Sequence, residues 1–301
     1  MGLTIACIGE VMIELSAPEG SAARVGTAGD TFNWAVYLRR SLGEEHRVRY
    51  VTALGHDPFS ARITKAIEAE GIATDRILRH PTRLPGLYAI TLDHAGERSF
   101  HYWRSEAAAR TMFDDDAGID ALDGADVVAL SGITLAILPD AARERLFAHL
   151  ATARADGLQV AFDSNYRPAL WPSGGAAREV MERMWALTDI ALPSVDDEMA
   201  MAPNETAEAI AARFSAMPLR AGALKRGATG PLGLTTGAAP DLPAVTRVVD
   251  STAAGDSFNG AFLGAVLQGG DEAAALAAGH ACASRVICHH GAIVPRADWD
   301  A

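Results

Sequence analysis

The chain has 301 residues, of which 49% are hydrophobic and 21% are charged. This length and composition are typical of a globular enzyme with one large α/β domain, or of a domain with a small appendage. The formal net charge of −12 disfavours nucleic acids and anionic membranes as partners, although an acidic protein can still bind anions in a local positive pocket.

The cysteine content and the N-terminal sequence indicate a cytoplasmic protein. Cys7, Cys282 and Cys288 lie in apolar stretches without metal-ligand spacing, so we expect three buried thiols in a reducing compartment. The N-terminal stretch lacks a basic region and carries Glu10 and Glu14, unlike a secretory signal peptide. No uncharged stretch reaches the length of a membrane span.

The first seventy or so residues alternate between strand and helix patterns. Short apolar runs predict strands, and runs with a capping residue ahead and glycine behind predict helices. The first helix is expected to begin at Asp30 or Thr31, and the second has Asp57 at its cap. In chain order, the predicted elements are strand 3–11, strand 12–16, helix 29–43, strand 48–55 and helix 57–71. Such alternation predicts a parallel sheet with helical crossovers.

The middle of the chain departs from this alternation. Residues 84–104 hold two alternating runs around the turn DHAGE, which predicts a β-hairpin. Because these runs are too polar for central strands, we place the hairpin in a small flap outside the main sheet. The strand–helix pattern then resumes, and the last two helices are rich in Ala and Gly, which suits close packing. The later elements are strands within 125–132, 158–165, 189–194 and 222–230, and helices over about 256–268 and 271–288.

The start of the helix near residue 256 is the first candidate for chemistry. In TAAGD (252–256), four small residues precede a single carboxylate, Asp256. Small residues let backbone amides converge on an anion, and a helix directs the positive end of its dipole to the same place. Beside such a site, Asp256 can take the proton of an attacking hydroxyl during phosphoryl transfer. The alternative is an ordinary N-cap before a core helix, and these residues alone do not separate the two.

Two further polar stretches are predicted to follow strands. Asp30 and Asn33 are suited to bind sugar hydroxyls, or alternatively to cap their helix. Asp163, Asn165 and Arg167 share a loop at a strand's carboxyl end, where ligands bind in open α/β sheets, unless the loop is simply a polar surface segment.

The segment KRGATG (225–230) places two cations and two glycines at another strand end, where they can approach a nucleotide. The sequence contains neither a GxxxxGK[ST] phosphate-binding loop nor a GxGxxG motif after the first strand. A P-loop is therefore excluded, and a dinucleotide-binding dehydrogenase is disfavoured.

Together these stretches resemble the PfkB-type, or ribokinase-like, family of carbohydrate kinases over essentially the whole chain. AGDTFNWAVYLRRSLG (28–43) resembles the family's N-terminal signature, and DSTAAGDSFNGAFL (250–263) resembles its C-terminal signature. The resemblance implies a single domain over 1–301: a three-layer α/β sandwich with a mostly parallel central sheet. A small β-sheet lid would come from about 10–16 and 84–105. It also implies ATP and Mg²⁺ as cofactors and a homo-oligomer.

The resemblance also assigns roles to individual residues. Asp256 would be the catalytic base, and Ala253, Ala254 and Gly255 would form the anion hole. The sugar side would include Gly29, Asp30 and Asn33. The nucleotide side would include Asn165, Lys225, Gly227, Thr229 and Gly230 together with the anion hole.

The substrate class follows from the lid and one loop. Residues 86–110 resemble the lid hairpin of 2-keto-3-deoxygluconate kinases, and FDSNYRPALW (162–171) resembles their DxNxRxxLW stretch. A sugar acid needs a cation for its carboxylate, and arginine offers a planar two-point contact, so Arg104 and Arg167 are candidates. Tyr88 and Tyr102 would bind the keto group or hydroxyls. Alternatively, Arg104 is a surface lid residue and the two tyrosines only pack within the lid.

The resemblance therefore implies ATP-dependent phosphorylation of 2-dehydro-3-deoxy-D-gluconate at its 6-hydroxyl. The chain departs from the family pattern at Ala28, where glycine is common, and at Ser251, where threonine is usual. Ser194 and Asp197 stand at the family's NxxE segment, so we assign no metal ligand. Two alternatives stay open: a kinase of fructose, 2-keto-3-deoxygalactonate or a related acid, and a non-catalytic sugar-binding regulator.

Overall fold

A seven-stranded sheet lies at the centre of the structure, a computed structural model that describes residues 2–16, 23–92 and 98–300. Neighbouring strands pair in parallel, except at one edge where the last pair is antiparallel. In spatial order the strands are β13 (Leu232–Gly233), β12 (Ala221–Leu224), β11 (Ile190–Ala191), β10 (Gln159–Asp163), β9 (Val127–Ser131), β1 (Thr4–Ile8) and β4 (Arg47–Val51). The mostly parallel sheet predicted from the sequence is confirmed.

Helices cover both faces of this sheet and give a three-layer sandwich. One face carries α1 (Asp30–Ser41), α2 (Pro58–Ala69), α9 (Ala254–Leu267) and α10 (Glu272–Val286). The other face carries α4 (Gly132–Ile137), α5 (Asp140–Ala155), α6 (Gly174–Trp185), α7 (Val195–Met201) and α8 (Ala207–Ser215), with the short α3 (Asp116–Asp120) beside them. The short α11 (Arg296–Trp299) packs behind α1, and three 3₁₀ turns span Ala108–Thr111, Pro168–Leu170 and Gly227–Thr229.

The alternation of side chains along each strand produces the two cores. In β1, Ile5 and Cys7 belong to the core under α1 and α9, whereas Ala6 and Ile8 belong to the core on the opposite face. All four side chains are buried. A strand that is apolar on both faces is expected where helices cover the sheet on both sides.

Helices α1 and α9 approach each other closely because a glycine lies between them. A Cβ atom on Gly260 would come within 2.7 Å of the Leu38 backbone nitrogen and 2.8 Å of the Trp34 carbonyl oxygen. Any larger residue would push the helices apart. The close packing expected from the small residues of α9 is therefore observed, and it brings the first turns of α1 and α9 together.

A four-stranded sheet forms the lid, in the spatial order β3 (Arg24–Ala28), β2 (Met12–Ser16), β7 (Leu87–Leu92) and β8 (Arg98–Trp103). β7 and β8 form the predicted antiparallel hairpin, with Tyr88 opposite Tyr102, while its turn at 93–97 lies outside the described residues. β3 was not predicted, because RVGTA carries little strand character and is ordered by pairing with β2.

Three local predictions were wrong: the N-cap of α1, the burial of Cys288 and the single strand over 48–55. Gly29 is the N-cap of α1, not Asp30 or Thr31, and no side chain caps this helix. Cys288 is exposed rather than buried, because it follows the end of α10 at the surface, whereas Cys7 and Cys282 are buried.

The predicted strand 48–55 is two strands, β4 and β5 (Ala53–Leu54). β5 turns away to pair with β6 (Leu78–Arg79) in a separate two-stranded sheet. Among the described residues, no helix is long and apolar enough to cross a membrane.

Candidate active site

A cavity of about 1120 Å³ lies between the carboxyl ends of the main-sheet strands and the lid. This volume exceeds the usual range for a single small ligand and suits a sugar together with a nucleotide. Most residues assigned from the sequence line it. They are Gly29, Asp30, Asn33, Tyr88, Tyr102, Arg104, Asn165, Arg167, Lys225, Ala253, Ala254, Gly255 and Asp256.

The start of α9 has the geometry of an anion cradle. Ala253 adopts the left-handed conformation with φ of 61°, which turns the chain sharply into the helix. No side chain caps α9, so the amides of its first turn are left for a ligand. Asp256 lies within that first turn and is not the N-cap, so the interpretation of Asp256 as a simple cap is wrong.

Asp256 is held by α1 and surrounded by charge. Its Oδ2 accepts a hydrogen bond of 2.8 Å from the side-chain amide of Asn33. Burial, together with the carboxylates of Asp30 and Asp163, raises the pKa of Asp256 to about 7, while Asn33 and Lys225 oppose the rise. A carboxylate with a pKa near neutrality is well matched to general-base chemistry.

Asp30 is tied to the loop after β10. Its Oδ2 accepts hydrogen bonds from the Ser131 hydroxyl and, at 2.8 Å, from the side-chain amide of Asn165. Asn165 has φ of 29° and its backbone nitrogen donates to Asp163 Oδ1 at 3.1 Å, so the loop is held in a tight turn. These bonds explain why Asp30 does not cap α1. They also place Asn165, which was predicted on the nucleotide side, against a residue predicted on the sugar side.

Lys225 forms a buried polar cluster next to the cradle. Its ammonium group lies 2.7 Å from Asp163 Oδ2 and donates to Asn259 Oδ1 at 3.1 Å. The amide of Asn259 donates to the same Asp163 oxygen at 2.5 Å. A Cβ atom added to Gly255 would lie 3.6 Å from the Lys225 ammonium, so the cation sits directly beside the first turn of α9. This position suits a phosphate ligand.

The remaining residues of the predicted nucleotide segment lie apart from this cavity. Gly227 and Thr229 belong to an exposed 3₁₀ turn after β12, and Gly230 follows it; none of these described residues lines the cavity. Gly227 and Gly230 have φ of 55° and 83°, a conformation that favours glycine. Their contact with a nucleotide stays a prediction.

Ser194 and Asp197 occupy different roles at the start of α7. The Ser194 hydroxyl accepts from the Asp197 amide and caps the helix. The Asp197 carboxylate faces the cavity, accepts from the Ser164 hydroxyl at 3.2 Å, and lies 3.9 Å from Arg167. Burial, and then the charge of Asp163, raise the pKa of Asp197.

The described residues contain no group of three His, Cys, Asp or Glu side chains arranged to hold a metal ion. Mg²⁺ bound to a nucleotide keeps several waters and needs only one or two protein carboxylates. Asp197 fits that requirement, because its carboxylate lines the cavity and a nearby cation would relieve its repulsion from Asp163. The donor set therefore fits a hydrated Mg²⁺ and does not fit a metal caged by protein ligands.

Arg104 is not the surface lid residue that the sequence allowed as an alternative. It follows β8, and its side chain, 11% exposed, forms an ion pair with Glu10, which is 2% exposed and follows β1. The Arg104 guanidinium also lies 5.9 Å from the centroid of the Tyr102 ring. Both Arg104 and Tyr102 line the cavity, so the lid brings a cation to its wall.

The two lid tyrosines differ in their surroundings. Tyr88 is buried and donates a hydrogen bond to Glu14 Oε2. Tyr102 is 53% exposed and its ring lies 5.7 Å from that of Tyr88. Packing within the lid, the alternative raised from the sequence, is therefore observed, and both rings also line the cavity.

Arg167 offers a second cation at the cavity wall. Its side chain is 56% exposed, and its one ion pair in the described part of the chain, with Asp197, is long. Its guanidinium otherwise donates to the carbonyl oxygen of Tyr166. A guanidinium held this loosely can turn toward an anionic ligand.

Sequence reasoning missed three residues of this site: Glu10, Ser131 and Asn259. Each left a signal, because Glu10 and Ser131 are polar residues at the carboxyl ends of buried strands and Asn259 is a polar residue in an apolar helix. Their partners lie 94, 101 and 96 positions away in the chain, so the contacts themselves were not accessible from local pattern.

The chain is similar to known carbohydrate kinases over nearly its whole length. Residues 3–299 match the family model described as pfkB family carbohydrate kinase. A protein from Escherichia coli (strain K12) named 2-dehydro-3-deoxygluconokinase is 42% identical over 305 residues, covering 98% of each chain.

Two solved structures share the fold. The crystal structure of 2-dehydro-3-deoxygluconokinase from Thermotoga maritima has a TM-score of 0.83 at 22% identity, covering 98% of this chain and 95% of that one. Fructokinase with bound ATP from Xylella fastidiosa has a TM-score of 0.78 at 27% identity, covering 96% and 93%. Because the family model matches nearly its whole length, the chain belongs to the pfkB family of carbohydrate kinases.

Proposed function

We propose that this enzyme phosphorylates 2-dehydro-3-deoxy-D-gluconate at its 6-hydroxyl, using ATP. One observation carries the proposal: Asp256, hydrogen-bonded to Asn33 in the first turn of α9, shares a cavity with Arg104 and Arg167. A base beside an anion cradle suits phosphoryl transfer, and two arginines suit an acceptor with a carboxylate. The name of the E. coli relative supports the same acceptor.

The two ends of the acceptor match the two ends of the cavity. Arg104 and Arg167 hold the carboxylate, and Asp30 and Asn33 bind hydroxyls along the chain. The primary alcohol at the far end of the molecule then lies near Asp256. Fixing the acceptor at its remote end converts the encounter into an intramolecular reaction, which supplies much of the rate enhancement.

The chemical step needs a base and a site for negative charge. The Asp256 carboxylate takes the proton of the 6-hydroxyl as the oxygen bonds to the γ-phosphorus of ATP, and the bond from that phosphorus to the bridging oxygen breaks to release ADP. The amides of Ala253, Ala254 and Gly255 stabilise the charge that develops on the transferring group. Closure of the lid excludes water and so limits hydrolysis of ATP.

Lys225 and Asp197 border the phosphate end of the site. The Lys225 ammonium, beside Gly255, is placed to contact phosphate oxygens. Asp197 would hold a hydrated Mg²⁺, which neutralises phosphate charge when bound. The ATP in the related fructokinase supports the choice of donor.

A substrate panel tests the proposal. Purified enzyme with ATP and Mg²⁺ is assayed for ADP release on 2-dehydro-3-deoxygluconate, its galactonate epimer and fructose. We expect the highest kcat/KM with 2-dehydro-3-deoxygluconate. A clear preference for fructose would refute the sugar-acid assignment, and no turnover on any sugar would favour a non-catalytic binding protein.

Asp256→Asn tests the role of the base. The variant keeps the shape of the side chain, so we expect sugar binding within a few-fold of wild type and a kcat lower by at least about 100-fold. Near-wild-type turnover would remove Asp256 from the mechanism.

The proposal includes a cytoplasmic location and a homo-oligomeric state. Cell fractionation tests the first. Light scattering of the purified protein, in the presence and absence of substrate, tests the second.

A further inference from the structure

We propose that Glu10 is a positioning residue: it orients the Arg104 guanidinium at the cavity wall so that this group can grip the carboxylate of the acceptor. This inference rests on the proposed function. Glu10 would not touch the substrate itself, and it would act only through Arg104.

The ion pair joins two separate parts of the fold. Glu10 follows β1 of the main sheet, and Arg104 follows β8 of the lid, 94 positions later in the chain. An Arg104 Nη2 hydrogen donates to Glu10 Oε2, and both side chains are almost entirely buried. A buried charge-assisted bond of this kind holds a guanidinium in place better than an exposed one, because water does not compete for it.

The hydrogen bonding of the pair is incomplete. Among the described residues, Glu10 Oε1 and Arg104 Nε are buried side-chain atoms with no hydrogen-bond partner. Burial raises the pKa of Glu10 and Arg104 opposes that rise. Unsatisfied buried polar groups are costly, so the pair is not held by a complete set of protein hydrogen bonds. Because Arg104 also lines the cavity, a carboxylate bound there supplies a further acceptor for its guanidinium.

Gly86 provides the space for the pair. A Cβ atom at residue 86 would lie 2.5 Å from Glu10 Oε1, 3.0 Å from Met12 Cγ and 3.3 Å from Arg104 Cβ. The Gly86 backbone is itself fixed, because its carbonyl oxygen accepts from the Ile13 amide at 2.9 Å. An alanine at this position would therefore displace the ion pair without removing any of its hydrogen-bonding groups.

Four variants test the inference. Glu10→Ala and Gly86→Ala disturb the pair, whereas Glu10→Gln keeps an acceptor oxygen and partly restores it. Glu70→Gln is the matched control, since Glu70 forms another buried ion pair, with Arg40, remote from the cavity. KM is measured for the sugar acid and for ATP, together with Tm with and without the sugar acid.

For Glu10→Ala we expect the KM of the sugar acid to rise at least about 10-fold, as is typical when a charge-assisted contact is lost, while the KM of ATP stays within about twofold. Gly86→Ala should also raise the KM of the sugar acid. Glu10→Gln should raise the KM of the sugar acid less than Glu10→Ala does. At the same concentration of sugar acid, the rise in Tm that it gives should be smaller in Glu10→Ala than in wild type and unchanged in Glu70→Gln.

A Glu10→Ala enzyme that loses thermal stability but keeps the wild-type KM for the acid would overturn the inference. If Glu10→Ala does not fold, unchanged KM values in both Glu10→Gln and Gly86→Ala would overturn it instead. Failure of the proposed function is distinguished by the wild-type protein, which would then show no activity on the sugar acid at all.

Discussion

The activity of the enzyme should fall about 10-fold when the pH is lowered from 8 to 6. Asp256 must be ionised to accept a proton, and its pKa is raised to about 7, above the ordinary value for an aspartate. A group with that pKa is roughly 90% ionised at pH 8 and roughly 10% ionised at pH 6. An aspartate with an ordinary pKa would stay ionised over this whole range, and the rate would not change.

The neighbours of Asp256 give this prediction a direction that can be tested. Asp30 and Asp163 raise the pKa of Asp256, and Lys225 lowers it. Asp30→Asn and Asp163→Asn should therefore move the acidic limb of the kcat/KM profile to lower pH. Lys225→Met should move it to higher pH, since the ionised carboxylate loses a nearby cation.

The assay is the pH dependence of kcat/KM for the sugar acid at saturating ATP and Mg²⁺. Terminal phosphates also titrate near pH 6, so the shift between variants identifies Asp256 better than any single midpoint. Absolute rates will fall in Asp30→Asn, but the midpoint of the profile is independent of its height. A flat wild-type profile between pH 8 and 6, or a midpoint that does not move in any variant, would refute the assignment of Asp256 as a base with a raised pKa.

Three further predictions concern other residues. Arg167→Ala should raise the KM of the sugar acid about 10- to 100-fold and the KM of a neutral ketose much less, with Arg145→Ala, at an exposed ion pair, as the control. Equal increases for both sugars would exclude a contact between Arg167 and the carboxylate. Ala253→Gly should raise the Tm by about 1–3 °C and leave kcat within about twofold of wild type, because glycine adopts the left-handed conformation of residue 253 without strain. A lower Tm would contradict the presence of backbone strain at Ala253. Burial raises the pKa of the Glu198 carboxyl on α7 to about 7, so protonated Glu198 stabilises the fold below pH 4.5, and this stabilisation is lost as the pH rises through 7. The Tm of Glu198→Gln minus that of wild type should therefore increase from pH 5 to pH 8. A constant Tm difference would refute the raised pKa.

The first strands and helices, the lid hairpin and the last two long helices could be predicted from the sequence because each carries its own pattern. The buried β1, the capped α2 beginning after Asp57, and the alternating lid hairpin were all identified from local residues. β3 was not, because its order comes from pairing with β2 and not from its own composition. Local pattern thus predicted the parallel sheet with helical crossovers but not every strand of the lid, and the three-layer arrangement was implied by the family resemblance.

Most residues that line the cavity could be named from the sequence, but the hydrogen bonds and ion pairs between them could not. Asp256 and Asn33 were both named from the sequence, yet their hydrogen bond spans 223 positions and depends on how α9 crosses α1. Asn165 was assigned to the nucleotide side, and its side-chain amide donates to Asp30, a bond that local pattern did not indicate. Its contact with a nucleotide stays a prediction. Glu10 was treated only as a residue unsuited to a signal peptide, since nothing near it in the chain indicates its partner.

The close contact at Gly260 couples the two helices of the proposed site. It holds α9, which carries Asp256, against α1, which carries Asp30 and Asn33, so a change in the packing of one helix displaces the groups on the other. The arginine and tyrosines of the lid belong to a different sheet with its own strand pairing. Substitutions in the lid strands therefore change one wall of the proposed acceptor site while leaving the packing of α1 against α9 intact.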